Sequence, residues 1–148
     1  MNIEVASRNN TFIEYLRLFA WFDNDRLKAM MDQYSISATA KGEPIFWHIN
    51  AEKKITNGHI ITMDKVTGKI YDSSWHYLDG RPMCLFGEHL IATFPDRPVA
   101  LVRDEMTAVI MSCFPTPYVW LATGMDISTS ADLTFLKGKK VVIFPDKG

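Results

Sequence analysis

The chain has 148 residues, 47% hydrophobic and 12% aromatic, which is enough apolar material for a packed interior and excludes a disordered chain. A formal net charge of -1 excludes any global attraction to nucleic acid or anionic membrane, so such contacts would have to come from a local basic patch. The longest apolar runs fall well short of the roughly 20 residues a membrane helix needs, and the opening MNIEVASRNN lacks an apolar signal core; a soluble, cytoplasmic protein with no membrane partner is expected.

In chain order, TFIEYLRLFAWF (11–22) opens with Thr11 three residues before Glu14, the spacing of a capping box, and its apolar density predicts a largely buried helix. DNDRLKAMMDQYSI (23–36) predicts a second helix with Leu27, Met30, Met31 and Tyr34 along one stripe. Between Ile36 and Tyr77 the segments PIFWHI, HIITM and KIYDSSWHY are short and rich in β-branched and aromatic residues. Asn50 to Lys54 and DKVTGK separate them, with Gly68 placed for a positive-φ hairpin position, so an antiparallel meander is expected. YLDGRP reads as a loop, and CLFGEHLIATFPDRP as a short helix followed by a proline-bounded linker.

From Pro98 the texture changes. PVALV, YVWLAT and KVVIF are continuous apolar strands, with the helix EMTAVIMSCF after the first and the polar GMDISTSADLTFL after the second. Buried strands alternating with helical segments predict a parallel sheet. The expected fold class is therefore α+β with an α/β part: N-terminal helices and a small antiparallel meander over residues 1–95, then a partial Rossmann-like parallel sheet over 96–148.

Open parallel sheets bind ligands where the carboxyl ends of strands meet loops and helix N-termini. Asp104 and Glu105 follow the first strand, Thr123 and Gly124 the second, and Asp146 the third. Carboxylates gathered from two strand ends suit Mg²⁺, a hard ion that takes oxygen ligands and can neutralise phosphate oxygens during phosphoryl transfer. Acidic residues at a helix start also favour the macrodipole and cap free amides with no catalytic role. Among the remaining features, LKGKK (Lys137, Lys139, Lys140) is either a phosphate-contacting or a solvated turn, and Trp47, His48, Trp75 and Tyr77 are either a base-stacking face or cross-strand core pairs. Glu88 and His89 are adjacent, so their side chains diverge on a helix. Cys84 and Cys113 form no C-x-x-C pair and read as buried free thiols, and the four histidines match no metal spacing.

CLFGEHLI, PVALVRDEMTAVIMSC, VWLATG and LKGKKVVIFPDKG, in that order, resemble the Toprim-like proteins of bacterial mobile elements, related to DnaG-type primases. PIFWHIN, ITNGHIITMD and TGKI resemble the small β-rich region those proteins carry upstream, so the likeness runs from about Ile36 onward. The resemblance implies a Toprim domain that holds Mg²⁺ against nucleic-acid phosphates, using a glutamate after its first strand and an aspartate pair after its third. Glu105, Asp104 and Asp146 are then the implied catalytic residues, with Asp146 and Glu105 as metal ligands and Arg103, Thr123, Gly124 and Lys139 near phosphate.

This chain departs from that pattern. Arg103 stands where the principal metal glutamate is expected, and Met106 replaces a lysine. An arginine is a permanent cation with no lone pair to offer a metal, although its planar fork suits phosphate. The second aspartate position falls on Gly148, where the sequence given stops. A Toprim fold would need a further helix and strand, and without them the uncovered sheet predicts a homodimer. The expected function is a primase-related, DNA-associated protein with weakened or lost metal chemistry. The rivals are a non-enzymatic interaction module that keeps the fold as a scaffold, and a small nucleotide- or phosphate-binding protein using the Rossmann-like sheet, although G-x-G-x-x-G and G-K-[ST] loops are absent.

Overall fold

A computed structural model describes residues 3–4, 9–78, 83–124 and 134–145. The chain divides into two compact units, one comprising Met1–Trp47 with Gly58–His76, the other His48–Asn57 with Tyr77–Gly148. The sequence texture changes near residue 95, whereas these units follow packing, so the turn segment His48–Asn57 is grouped with the C-terminal part of the chain.

The first unit begins with β1 (Ile3–Glu4), α1 (Thr11–Leu16) and α2 (Asn24–Tyr34). The cap of α1 lies one residue before the expected Thr11: Asn10 Oδ1 accepts the Ile13 N–H at 3.0 Å. Thr11 is instead the first helical residue, and α1 stops at Leu16 rather than running through 22. Beyond it Leu18, Phe19 and Trp21 are exposed by 60%, 47% and 40%, so apolar density in this stretch did not mean burial. The second helix follows its pattern. Asp23 caps it through the Arg26 N–H, the stripe Leu27, Met30, Met31 and Tyr34 is buried, and Ser35 closes it with a left-handed φ of 56°.

The meander is a sheet of five strands in the order β1, β2 (Ser37–Thr39), β3 (Pro44–Ile49), β4 (Ile55–Met63) and β5 (Ile70–Tyr77). β1 and β3 both pair antiparallel with β2. The turn between β4 and β5 is built by Asp64, whose Oδ1 accepts the N–H groups of Val66 and Thr67 at 2.7 and 2.8 Å, with Gly68 at φ 74°. In the first unit Phe12 of α1 meets Phe46 of β3 edge to face at 5.5 Å, and Tyr15 lies against Gly68.

The second unit contains α3 (Leu90–Thr93), β6 (Val99–Val102), α4 (Glu105–Ser112), β7 (Val119–Ala122), a 3₁₀ turn (Thr134–Leu136) and β8 (Val141–Ile143). The three strands are parallel in the order β7, β6, β8, with Val102 opposite Ala122 and Leu101 opposite Ile143. Their carboxyl ends therefore share one edge, as the continuous apolar runs imply. The segment before α3 joins the outer side of β7: Phe86 and Ala122 exchange two backbone hydrogen bonds at 2.9 and 3.1 Å. Among the described residues no helix is long and apolar enough to cross a membrane.

Candidate functional site

The carboxyl edge of the parallel sheet brings together some of the residues singled out from the sequence. Thr123 N–H donates to Val102 O at 3.0 Å and Gly124 N–H to Arg103 O at 2.8 Å, so the loop after β7 is tied to the turn after β6. Gly124 is buried and has φ 95°, where a β-carbon would be strained. Arg103 is exposed, Asp104 occupies the N-cap position of α4, and the Thr123 hydroxyl donates to Gly124 O at 3.2 Å.

Lys139 lies elsewhere. It precedes β8, whose first residue Val141 is opposite Val99, so it belongs to the amino edge of the sheet, and its Nζ donates to Pro95 O at 3.1 Å. Lys137 and Lys140 are exposed. Asp146 lies outside the described residues.

Glu105 sits on the same turn but faces inward. It is the first residue of α4, only 2% exposed, and its Oε2 is 3.0 Å from His48 Nε2. His48 has no exposed surface and comes from the hairpin tip, 57 residues away in sequence. Its Nδ1 donates to Cys84 O at 2.7 Å, since a carbonyl can only accept, and its ring lies 5.6 Å from that of Phe86. With Nδ1 carrying a proton, the contact with Glu105 needs a second one. Either Nε2–H donates to a carboxylate, or a protonated Glu105 donates to Nε2.

Around this pair the second unit gathers further polar groups. Thr56 Oγ1 donates to Asn57 Oδ1 at 2.7 Å, lies 3.1 Å from Cys84 Sγ, and both side chains are buried. Asn57 Nδ2 has no hydrogen-bond partner among the described residues. Burial pushes the Cys84 thiol up to about 12, so it is a weak-donor core group and no nucleophile at neutral pH. Cys84 and Cys113 are both unbridged, Cys113 being partly exposed.

A hydrated divalent cation needs carboxylates that point to a wet cleft. Glu105 is withdrawn from that role by His48, and no group of three or more His, Cys, Asp or Glu among the described residues is arranged to hold a metal.

The aromatic residues of the meander pack as pairs. His59 stacks on Trp75 at 4.0 Å with the rings 2° apart, and Trp47 is buried against His76 at 6.1 Å. Trp47 and His48 are thus core residues, while Tyr77 stays 56% exposed. Sequence reasoning placed Glu105 at the right turn but missed His48 as its partner. A histidine inside the six-residue buried run PIFWHI gives no signal of what it will face.

Compared with known proteins, the chain matches the model of one family, a domain of unknown function (DUF6371), over residues 10–147. No curated protein and no solved structure matches it.

Proposed function

The chain belongs to the DUF6371 family, and we propose that it is a Toprim-like, primase-related cytoplasmic protein that binds DNA with its metal-dependent phosphoryl-transfer chemistry weakened or lost. The single observation that supports the loss is the engagement of Glu105 with His48 at 3.0 Å in a site only 2% open to solvent. The carboxylate that a metal would claim serves instead as a tie between the hairpin tip and α4. Arg103, exposed at the end of β6, supplies a positive charge where the resemblance calls for a negative one. At about 4 Å an opposing charge costs a bound cation several kcal/mol in a partly buried site. The same guanidinium offers a planar donor fork to a phosphate oxygen, beside the backbone of Gly124.

Two measurements test this together. Fluorescence anisotropy with short single-stranded and duplex oligonucleotides should show binding that weakens with salt and falls in Arg103→Ala. Calorimetry should show little Mg²⁺ or Mn²⁺ binding by the unaltered protein, rising in Arg103→Glu. Absence of any DNA binding at low salt would sink the nucleic-acid reading and favour a non-enzymatic interaction module. Tight Mg²⁺ binding by the unaltered protein would sink the loss of metal chemistry.

A further inference from the structure

Within β4 a chemically labile side chain precedes a glycine that packing demands. Asn57–Gly58 is the one Asn-Gly pair in the sequence, and every residue of the strand from Thr56 to Ile61 is buried. Gly58 admits no side chain, since a β-carbon there would lie 2.6 Å from Trp47 Cζ3 and 2.7 Å from Trp47 Cε3. Asn57 has no exposed surface. Its Oδ1 accepts the Thr56 hydroxyl at 2.7 Å, and its Nδ2 has no hydrogen-bond partner among the described residues.

The reactivity of such a pair depends on the backbone around it. In a chain free to turn, the Gly58 backbone nitrogen bonds to Asn57 Cγ and the Cγ–Nδ2 bond breaks. Nδ2 leaves as ammonia, taking the proton of the Gly58 nitrogen. Water then opens the five-membered ring at either carbonyl, which leaves an aspartyl residue or an isoaspartyl one whose backbone runs through the former side chain. Glycine favours ring closure because no β-carbon crowds its nitrogen and its backbone turns freely. In a strand, by contrast, the side chain stands out of the sheet while the next backbone nitrogen lies within it. β4 therefore holds Asn57 Cγ away from the Gly58 nitrogen.

We propose that Asn57–Gly58 is a self-modification site that β4 protects, and that chains converted there do not return to this fold. Both products are incompatible with the position. An aspartyl residue sets a carboxylate where the amide has no exposed surface, and the neutral Thr56 hydroxyl is a poor substitute for the cation that a buried carboxylate needs. An isoaspartyl residue lengthens the backbone by one methylene and disturbs the side-chain alternation of the rest of β4, which is buried through Ile61 and again at Met63. The packing of Trp47 on Gly58 thus fixes the very residue that makes the opened strand labile, and unfolding becomes irreversible with time.

The test holds the full chain unfolded in guanidinium chloride for increasing times, in mildly alkaline and in mildly acidic buffer, beside folded samples in the same two buffers. Attack by a backbone nitrogen needs that nitrogen deprotonated, so acid slows it. Peptide mapping by mass spectrometry should find the amide-to-acid mass gain at residue 57 in the unfolded alkaline sample and many-fold less in the folded one. On dilution, the yield of native circular dichroism should fall with time spent in alkaline denaturant and hold in acid. Converted chains should collect in the fraction that fails to refold. Gly58→Val, compared in denaturant where folding is not at issue, should slow the conversion several-fold. Equal rates in folded and unfolded protein, or no conversion in alkaline denaturant, would overturn the proposal. So would converted chains that appear in the refolded fraction in the same proportion as in the starting mixture.

Discussion

His48 is the residue on which the interior of the second unit turns. Its ring is enclosed, donates to Cys84 O and meets Glu105, so three chain segments distant in sequence converge on one imidazole. Removing one member of a buried pair leaves the other polar and dry, at a cost of about 3–5 kcal/mol. Glu105→Ala should accordingly lower stability by about 3 kcal/mol in urea unfolding, with the loss of a well-packed side chain included. Glu105→Gln, which keeps an acceptor oxygen near Nε2, should cost clearly less; equal losses would mean that the contact contributes only packing. Cys84 gives a second check. Its thiol is held protonated by burial, so native protein should label slowly there and first at the partly exposed Cys113, as read by mass spectrometry. A thiol raised from 9.0 to about 12 contributes stability that is fully present below pH 9 and is lost as pH climbs toward 12. Cys84→Ala should flatten that part of the curve of melting temperature against pH.

At the scale of elements, close packing of β3 on β4 makes Gly58 a tight position. A β-carbon there would lie 2.6 Å from Trp47 Cζ3 and 3.1 Å from Ile45 Cγ2. Trp47 has little room to yield, because its Nε1 donates to Ser37 Oγ at 3.0 Å and its ring abuts His76. Overpacking of this kind costs about 1–3 kcal/mol, so Gly58→Ala should destabilise within that range and alter the tryptophan emission. Next along the chain, the turn after β4 is pH-sensitive at the acid end. The N–H groups of Thr67 and Val66 hold the Asp64 carboxyl below its ordinary range. Its contribution is present above about pH 4 and lost as pH falls through the lowered value, and Asp64→Ala should remove that acid limb from urea midpoints. These elements also mark how far the sequence could be read. PIFWHI matched β3 residue for residue, and α2 kept its stripe, because each pattern is local and is reinforced by its own caps and burial. α1 misled because Asn10 competes with Thr11 for the cap, and because apolar residues beyond Leu16 lie on an exposed connector that local density does not distinguish from core. The strand-end rule brought Arg103 to Gly124 correctly. It was blind to His48, since a contact across 57 residues leaves no periodic trace.

For the whole molecule, the net charge of -1 gives no long-range field to draw a polyanion. Under the proposed DNA-binding function, attachment would rest on a few discrete contacts, and the salt dependence would count them. Each neutralised phosphate adds about -0.9 to the slope of log affinity against log salt for duplex DNA, and about -0.7 for a single strand. The slope should therefore be shallow, amounting to a few contacts. The proposed reading also distinguishes two cations. Arg103 is exposed at the carboxyl edge where Gly124 N–H is bound to its carbonyl, whereas Lys139 reaches Pro95 O at the amino edge. One ligand lying across the carboxyl edge touches the first and misses the second. Arg103→Ala should reduce the magnitude of the slope by about one contact's worth and weaken all sequences alike, while Lys139→Ala should leave the slope unchanged. Anisotropy titrations over a salt series decide the matter. Equal effects of the two substitutions would place the nucleic acid on a different face from the strand ends, and an unchanged slope in Arg103→Ala would remove that arginine from the interface.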